Sequence, residues 1–249
     1  MKTKLFLTLS WIFACALLVL PAIAQNTKSA GSQKSIRIDV SKEKAGSESK
    51  LFLSVVGNWS VIEDEGKKVL AVDGREWLRG NPARNLAENA RVIYGSRHED
   101  FVDNVKAFAY FPYAVAKDIE NFENGEITVK FKMISGKLDK CAGILFNLKP
   151  NGDYLTIRFN GKEDNLVLWK FVKGQRSFVK RGTENRPLEL NKWAEIKVVT
   201  KGPNIEGYLN GEKLIEFAWT EPISGKIGLW SKTDSLSYFT DFTVLPAAK

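Results

Sequence analysis

The chain has 249 residues and 44% of them are hydrophobic, which is enough to build one large domain with a substantial core. Lysine and arginine number 37 against 29 aspartate and glutamate residues, so the net charge is +8. The basic residues alternate singly with apolar ones, as on the solvent-facing side of a sheet, and this argues against a nucleic-acid partner. The same charge is compatible with anionic glycans or an anionic cell surface.

The N-terminal segment has the composition of an export signal. Lys2 and Lys4 precede an apolar run of about 16 residues, and Ala22 and Ala24 then form the pattern of small residues that a signal peptidase cuts. A membrane-spanning helix needs about 20 apolar residues, so the shorter run favours a cleaved signal peptide over residues 1–24. We therefore expect an exported protein and not an integral membrane protein.

The number of cysteines indicates in which compartment the protein is expected. Once the predicted signal peptide is removed only Cys141 remains, so no disulfide can form within one chain. An exported chain of this size without disulfides is typical of a bacterial envelope, and the expected location is periplasmic or extracellular. Residues 25–35 are rich in Ser, Gly, Lys and Gln and predict a flexible lead-in. A single domain, expected to be monomeric, follows at residues 36–246.

Apolar and polar residues alternate through most of this domain, which predicts β-strands. In one segment Ile127, Val129 and Phe131 point to one side and the polar residues between them point to the other. Asn210 and Gly211, between two such segments, are a strong signal for a tight hairpin. Short strands that each have one apolar face predict an all-β fold, with two antiparallel sheets in a jelly-roll sandwich.

One segment, at residues 82–104, departs from the strand pattern and predicts a short helical insertion. Leu86, Ala90 and Ile93 recur at helical spacing, and Ser96 is expected to be the N-cap of a second short helix. The insertion either closes over a ligand as a lid, or covers a sheet edge and contributes only packing. As a lid it would bring these residues near the ligand: Arg75, Glu76, Trp77, His98 and Glu99.

The C-terminal half carries a recognisable order of sequence segments. They are Gly125–Phe131, Ala142–Phe146, Asn151–Arg158, Gly207–Gly211, Gly225–Trp230 and Tyr238–Phe242. This order resembles the laminin-G-like and 3-keto-disaccharide hydrolase-like branch of the concanavalin A-like lectin/glucanase superfamily, over Gly57 to Val244. The resemblance implies a concanavalin A-like sandwich. It does not imply one activity, because the superfamily contains lectins, glycosidases, lyases and adhesion modules.

Carboxylates are the groups on which glycoside hydrolysis by this fold depends. Retaining glucanases place two of them about 5–5.5 Å apart, whereas the corresponding strand here has only Glu126. The acidic cluster at 63–65 precedes a glycine and predicts a hairpin turn. We therefore do not expect a two-carboxylate glucanase, and the catalytic candidates for another glycoside chemistry are Glu126, Glu163 and Glu195.

Metal and histidine chemistry has few candidate residues in this sequence. His98 is the only histidine, which excludes histidine-based metal clusters and Cys-His sites, and it is most simply a solvent-facing residue. Asp241 lies where some relatives bind a structural Ca²⁺, so the resemblance implies a calcium ion there. We expect no other cofactor.

The outward faces of three predicted strands carry the pattern of a sugar-binding surface. If these strands are antiparallel neighbours, their outward side chains share one face. Amide and guanidinium groups suit sugar hydroxyls, and an aromatic ring suits the C–H face of a sugar. The predicted ligand-binding residues are Asn147, Lys149, Tyr154, Arg158, Asn160, Asn165 and Trp169. Alternatively, Arg158 is a solvated sheet residue and Trp169 packs under the helical insertion; Trp230 either extends the surface or belongs to the core.

Three functions are consistent with these observations. The first is a carbohydrate-directed envelope module that binds a glycan on its concave face. The second is a hydrolase or lyase that acts on 3-keto-glycosides or related glycosides. The third is a laminin-G-like interaction module with no small-molecule ligand. The partner expected under the first two hypotheses is a carbohydrate.

Overall fold

The computed structural model describes residues 34–75, 85–108 and 110–247. The predicted signal peptide at 1–24 lies outside the described residues, and so does the predicted lead-in apart from Lys34 and Ser35. The described residues all belong to one compact unit, Gln33–Lys249. The division into signal, lead-in and domain stays a prediction. Within the described ranges, no helix is long and apolar enough to cross a bilayer.

The chain forms fifteen strands and two helices in the described ranges. The strands are β1 (Ile36–Ile38), β2 (Phe52–Val56), β3 (Trp59–Asp64), β4 (Lys67–Asp73), β5 (Tyr113–Ala116), β6 (Gly125–Ser135), β7 (Cys141–Leu148), β8 (Tyr154–Asn160), β9 (Asn165–Val172), β10 (Gln175–Arg181), β11 (Trp193–Lys201), β12 (Asn204–Leu209), β13 (Glu212–Ala218), β14 (Lys226–Trp230) and β15 (Leu236–Pro246). The helices are α1 (Leu86–Tyr94) and α2 (His98–Phe108), and short 3₁₀ turns lie at Val40–Lys42 and Gly95–Arg97.

Two antiparallel sheets contain these strands. Sheet A has the order β13-β12-β11-β6-β15-β4-β3, with β1 paired to β15, and sheet B has the order β10-β9-β8-β7-β14-β5-β2. Every strand pair is antiparallel. The predicted all-β, two-sheet sandwich is therefore confirmed.

The main core lies between the two sheets, where each sheet contributes its apolar face. Ile127, Val129 and Phe131 of β6 are fully buried in it, whereas the polar residues between them point outward. Sheet B contributes alternate residues in the same way, including Ile144 and Ile157. The period of two along each strand thus separates core from surface, and burial of the apolar set is the main stabilising contribution.

The helical insertion is confirmed, with different boundaries from those predicted. Leu86, Ala90 and Ile93 form the buried face of α1, as their spacing indicates. Ser96 is not the N-cap of α2: it lies inside the 3₁₀ turn that joins the helices, and α2 begins at His98. Gly95, at φ +57°, ends α1 and lets the chain continue directly into this turn.

The two helices pack on the outer face of sheet B and enclose a second apolar cluster. Leu86, Ala90, Ile93, Tyr94 and Phe101 from the helices meet outward-facing residues of the sheet. On the sheet side the cluster includes Val55, Val56, Tyr113, Val115, Leu145, Tyr154, Phe171 and Trp230. The insertion thus covers both the edge strand β2 and part of the sheet face, so this part of sheet B has a core on each side.

Candidate functional site

The three strands predicted to form the ligand face are adjacent in sheet B. In their registers Arg158 lies opposite Gly143 on one side and Val167 on the other, and Asn160 lies opposite Asn165. A Cβ atom added at Gly143 would lie 2.9 Å from the Cβ of Arg158, so the glycine provides the room for the arginine. The outward side chains of β8 and β9 therefore share one face, as predicted.

The predicted ligand-binding residues divide into two groups along this face. Tyr154 and Asn160 are six residues apart on β8, which places them about 20 Å from each other. At the Tyr154 end, Asn147 Oδ1 accepts a hydrogen bond from Ser224 N at 2.9 Å, and Lys149 Nζ donates one to Ser224 O at 2.6 Å. These two residues hold the segment before β14 in place, away from the Arg158 end.

The Tyr154 end belongs to the interior of the molecule. The Tyr154 hydroxyl accepts a hydrogen bond from Trp230 Nε1 at 3.2 Å, and both residues are buried. The hydroxyls of Tyr94 and Tyr113 are hydrogen-bonded to each other. Burial raises the pKa of all three tyrosines. Trp230 therefore belongs to the core. We call this part of the outer face of sheet B the helix-covered half; it is lined by Tyr113, Leu145, Tyr154, Phe171 and Trp230.

The other end of the face is polar and buried. Arg158 is only 2% exposed. Its Nη1 atom donates a hydrogen bond to Asn165 Oδ1 at 2.5 Å, and its Nη2 atom contacts Glu163 Oε2 at 3.0 Å. Its Nε atom is buried without a hydrogen-bond partner. Buried donors are normally paired, so the unpaired Nε is an unusual feature of this arginine.

A second ion pair continues this polar region. Asn160 Nδ2 donates a hydrogen bond to Asp139 Oδ1 at 2.9 Å, and Lys232 Nζ contacts Asp139 Oδ2 at 2.6 Å. Burial raises the pKa of the neighbouring Cys141 thiol to about 12, so it is neutral at neutral pH and a poor nucleophile. We call the six polar residues the Arg158 cluster; they are Asp139, Arg158, Asn160, Glu163, Asn165 and Lys232.

An aromatic surface borders the Arg158 cluster where the sheet reaches solvent. Lys173 and Gly174, at φ +47° and +71°, form the tight turn between β9 and β10. The resulting register places Phe178 opposite Trp169, and their rings meet edge to face at 5.7 Å. The Arg176 guanidinium lies 4.2 Å from the centre of the Trp169 ring. We call Trp169, Arg176 and Phe178 the aromatic rim.

Phe178 is unusual for its exposure. It is 60% exposed, and it is the only aromatic residue among the large hydrophobic side chains exposed in the described part of the chain. Trp169 is half-buried, and its Nε1 atom is buried without a partner. An exposed ring beside a half-buried indole and two guanidinium groups is the arrangement that recognition surfaces use.

The sequence analysis missed Arg176 and Phe178, together with Asp139 and Lys232. A signal for the first two was present: the Lys173-Gly174 pair predicts a hairpin, and its register places Arg176 and Phe178 on the Trp169 face. Asp139 and Lys232 lie in loops outside the strands, and only tertiary contacts bring Asp139 to Asn160 and Lys232 to Asp139.

The three catalytic candidates lie on opposite sides of the sandwich. Glu163 contacts Arg158 on sheet B, whereas Glu126 pairs with Lys197 at 3.5 Å on the outer face of sheet A. Glu195 lines an open cleft of about 810 Å³ on that same sheet A face. Desolvation raises the pKa of Glu163, but the hydrogen bond from Asn165 and the charge of Arg158 outweigh it, and the pKa lies below its ordinary value. Glu163 is therefore a carboxylate at neutral pH, and its lowered pKa makes it a weaker base than an ordinary glutamate.

Several of the charged residues that line the sheet A cleft form ion pairs. Lys132 Nζ contacts Asp64 Oδ2 at 2.5 Å and lies 5.0 Å from the centre of the Trp193 ring. Asp241, the predicted calcium ligand, contacts Arg37 at 2.5 Å and Lys130 at 3.2 Å. Within the described ranges, no three Asp, Glu, His or Cys side chains group together as metal ligands would. Calcium binding at Asp241 stays a prediction.

The residues suggested for a lid are only partly described. Glu76 and Trp77 lie outside the described residues. His98 Nδ1 lies 2.9 Å from Gly95 O, and Glu99 is exposed on the first turn of α2. Arg75 Nε donates a hydrogen bond to Asp73 at 2.9 Å, at the end of β4 in sheet A. The described contacts therefore assign His98 a local role at the helix junction.

Comparison with known proteins identifies the fold. No protein-family model and no curated protein sequence matches the chain. Among solved structures, it is similar to the carbohydrate binding module CBM66 from Bacillus subtilis, with 14% identity and a TM-score of 0.55 over 81% of this chain and 99% of that one. It is also similar to a prokaryotic β-1,3-1,4-glucanase (lichenase) derived from a mouse hindgut metagenome, with 12% identity and a TM-score of 0.53 over 85% and 98%.

A third similar structure is a Bacillus subtilis protein of unknown function with a galectin-like fold, with 14% identity and a TM-score of 0.51 over 83% of this chain and 99% of that one. At these identities the likeness concerns the fold. All three structures are concanavalin A-like jelly rolls. The described chain therefore has the concanavalin A-like fold that the resemblance in its sequence implied.

Proposed function

We propose that this chain is an exported carbohydrate-binding protein that holds a glycan against the outer face of sheet B, at the aromatic rim and the Arg158 cluster. The observation that carries the proposal is the exposed Phe178 ring, which packs edge to face on Trp169 beside two guanidinium groups. An exposed aromatic ring gives up unfavourable hydration when the C–H face of a sugar covers it.

The polar residues behind the rim support the same proposal. Arg158 is held in one position by Asn165 and Glu163, and its Nε atom still lacks an acceptor. Sugar hydroxyls can accept from such donors, and a preorganised donor loses little conformational entropy on binding. The carbohydrate binding module and the lichenase of the same fold agree with a carbohydrate ligand, as do the expected export and envelope location.

The proposal is tested with single substitutions on the two outer faces of the sandwich. Phe178→Ala and Trp169→Ala should each weaken glycan retention about tenfold or more, because rim aromatics dominate such interfaces. Trp193→Ala in the sheet A cleft is the matched control and should leave retention unchanged. A glycan array identifies the ligand, and calorimetry gives the affinities; thermal unfolding shows that Phe178→Ala is folded. Loss of binding in Trp193→Ala alone would place the glycan on sheet A and contradict the proposed site on sheet B.

A second candidate function is favoured by one contact. The ionised Glu163 carboxylate, 3.0 Å from Arg158, can act as a weak general base in a hydrolase or lyase acting on 3-keto-glycosides or other glycosides. Release of sugar from a 3-keto-glycoside that stops in Glu163→Gln would replace the binding proposal with this one. Retention of no glycan by the wild-type chain would instead favour the laminin-G-like interaction module.

A further inference from the structure

The Arg158 cluster and the aromatic rim together contain more positive than negative charge. Arg158 is balanced by Glu163 at 3.0 Å, and Lys232 is balanced by Asp139 at 2.6 Å. Arg176 forms no ion pair with any residue in the described ranges; its guanidinium lies between the rings of Trp169 and Phe111, at 4.2 and 5.3 Å from their centres. The region therefore has one cation that lacks a counter-ion.

Two guanidinium groups surround the same indole. The Arg158 guanidinium carbon lies 5.8 Å from the centre of the Trp169 ring, and that of Arg176 lies 4.2 Å from it. Partial desolvation and the nearby charge of Arg158 lower the pKa of Arg176. The two arginines thus repel each other, and an anion bound beside both would relieve that repulsion.

The unpaired donors of the region lie around the same ring. Arg158 Nε and Trp169 Nε1 are both buried without a hydrogen-bond partner. Both atoms can only donate, since neither a guanidinium nor an indole N–H accepts a hydrogen bond. Groups that only donate require an acceptor, and an anionic oxygen is the strongest acceptor available to a guanidinium.

We infer that the glycan held at this site is acidic, and that a carboxylate or sulfate ester of the glycan binds between Arg176 and Arg158 beside the Trp169 indole. This inference rests on the proposed function and adds the chemical class of its ligand. A neutral sugar could occupy the unpaired donors with hydroxyls, but it would leave the Arg176 charge without a counter-ion. A planar carboxylate matches the fork of a guanidinium group.

Oligogalacturonate and its methyl ester are suitable probes, because they share one backbone and differ in charge. The wild-type chain should bind the acid about tenfold more tightly than the ester at low salt, and added salt should reduce the difference. Arg176→Gln should remove the preference, and Arg176→Lys should retain part of it. Arg181→Gln, which removes a cation from the same strand, is the matched control and should keep the preference. Arg181 is exposed and contacts Asn185 at 3.0 Å.

The outcomes separate this inference from the proposed function. Equal affinity for acid and ester, with both lost in Phe178→Ala, would overturn the acidic ligand and leave the glycan site in place. The same loss of preference in Arg181→Gln would attribute it to overall charge and overturn the inference. A preference for sulfated over non-sulfated oligosaccharides that depends on Arg176, without one for oligogalacturonate, would support the anion and identify it as sulfate. Binding of no glycan at all would overturn both proposals.

Discussion

The two halves of the outer face of sheet B share strand β8 but have different surroundings. Tyr154 and Arg158 project from the same side of β8, and both are almost completely buried. Around Tyr154 the neighbours are aromatic rings and the helices α1 and α2, and the polar tyrosine hydroxyl is hydrogen-bonded to Trp230. Around Arg158 the neighbours are carboxylates, amides and an indole, and donors remain unpaired.

The difference between the halves is the reason that we propose a ligand for only one of them. A region in which apolar atoms fill the space and the tyrosine hydroxyls are hydrogen-bonded is stable without a partner. A region with unpaired donors and an uncompensated charge gains from one. The helix-covered half is therefore expected to contribute mainly to stability, and the Arg158 half mainly to binding. Three predictions test this division.

The largest effect on the free energy of unfolding is expected from a substitution in the helix-covered half. Trp230 is completely buried, with none of its surface in contact with solvent. Trp230→Ala should therefore lower the free energy of unfolding by about 3–5 kcal/mol. Urea unfolding followed by circular dichroism measures this. Trp169→Ala, in the half-buried rim, is the comparison and should cost clearly less. An equal loss from both substitutions would contradict the division between the halves.

A smaller effect is expected in the Arg158 cluster. Arg158→Met keeps most of the side-chain volume but removes the hydrogen bonds to Asn165 and Glu163, and it should cost about 1–3 kcal/mol of stability. Because Glu163 is half exposed, water can hydrate its carboxylate once the arginine is gone, which limits the loss. Arg181→Met, at an exposed position, should change stability by less than about 0.5 kcal/mol. If Arg158→Met lowered the free energy of unfolding as much as Trp230→Ala does, the cluster would be mainly structural.

The smallest expected effect is a pH dependence that involves Glu163. Its pKa is lower in the folded chain than its ordinary value, so its contribution to stability is present above the unfolded pKa, at about 4.3, and is lost as pH falls through the folded pKa. Glu163→Gln should therefore remove part of the stability difference between about pH 6 and pH 3. Unfolding midpoints across this range measure it. An unchanged pH profile in Glu163→Gln would mean that Asn165 and Arg158 do not stabilise this carboxylate.

Sequence patterns alone predicted which residues of β8 and β9 share one face of the sheet. Alternation along 154–160 and 165–172 placed Tyr154, Arg158 and Trp169 on one face, and the structure confirms that arrangement. The patterns could not show that Asn147 and Lys149 bind the segment before β14, because Ser224 is far from them in the sequence. They also could not show that Glu126 and Glu195 belong to the other sheet from Glu163, since strand order depends on long-range pairing.

The sequence by itself determined the strands, the hairpin at Asn210 and the presence of a helical insertion, because these depend on side-chain period and local turn chemistry. Tertiary structure alone decided which outward-facing residues of sheet B became a second core and which stayed polar. The helices cover Trp230 and Tyr154, whereas at the other end the loop residue Asp139 contacts Asn160 and pairs with Lys232. Residues of one strand face acquire different roles because packing partners come from distant parts of the chain.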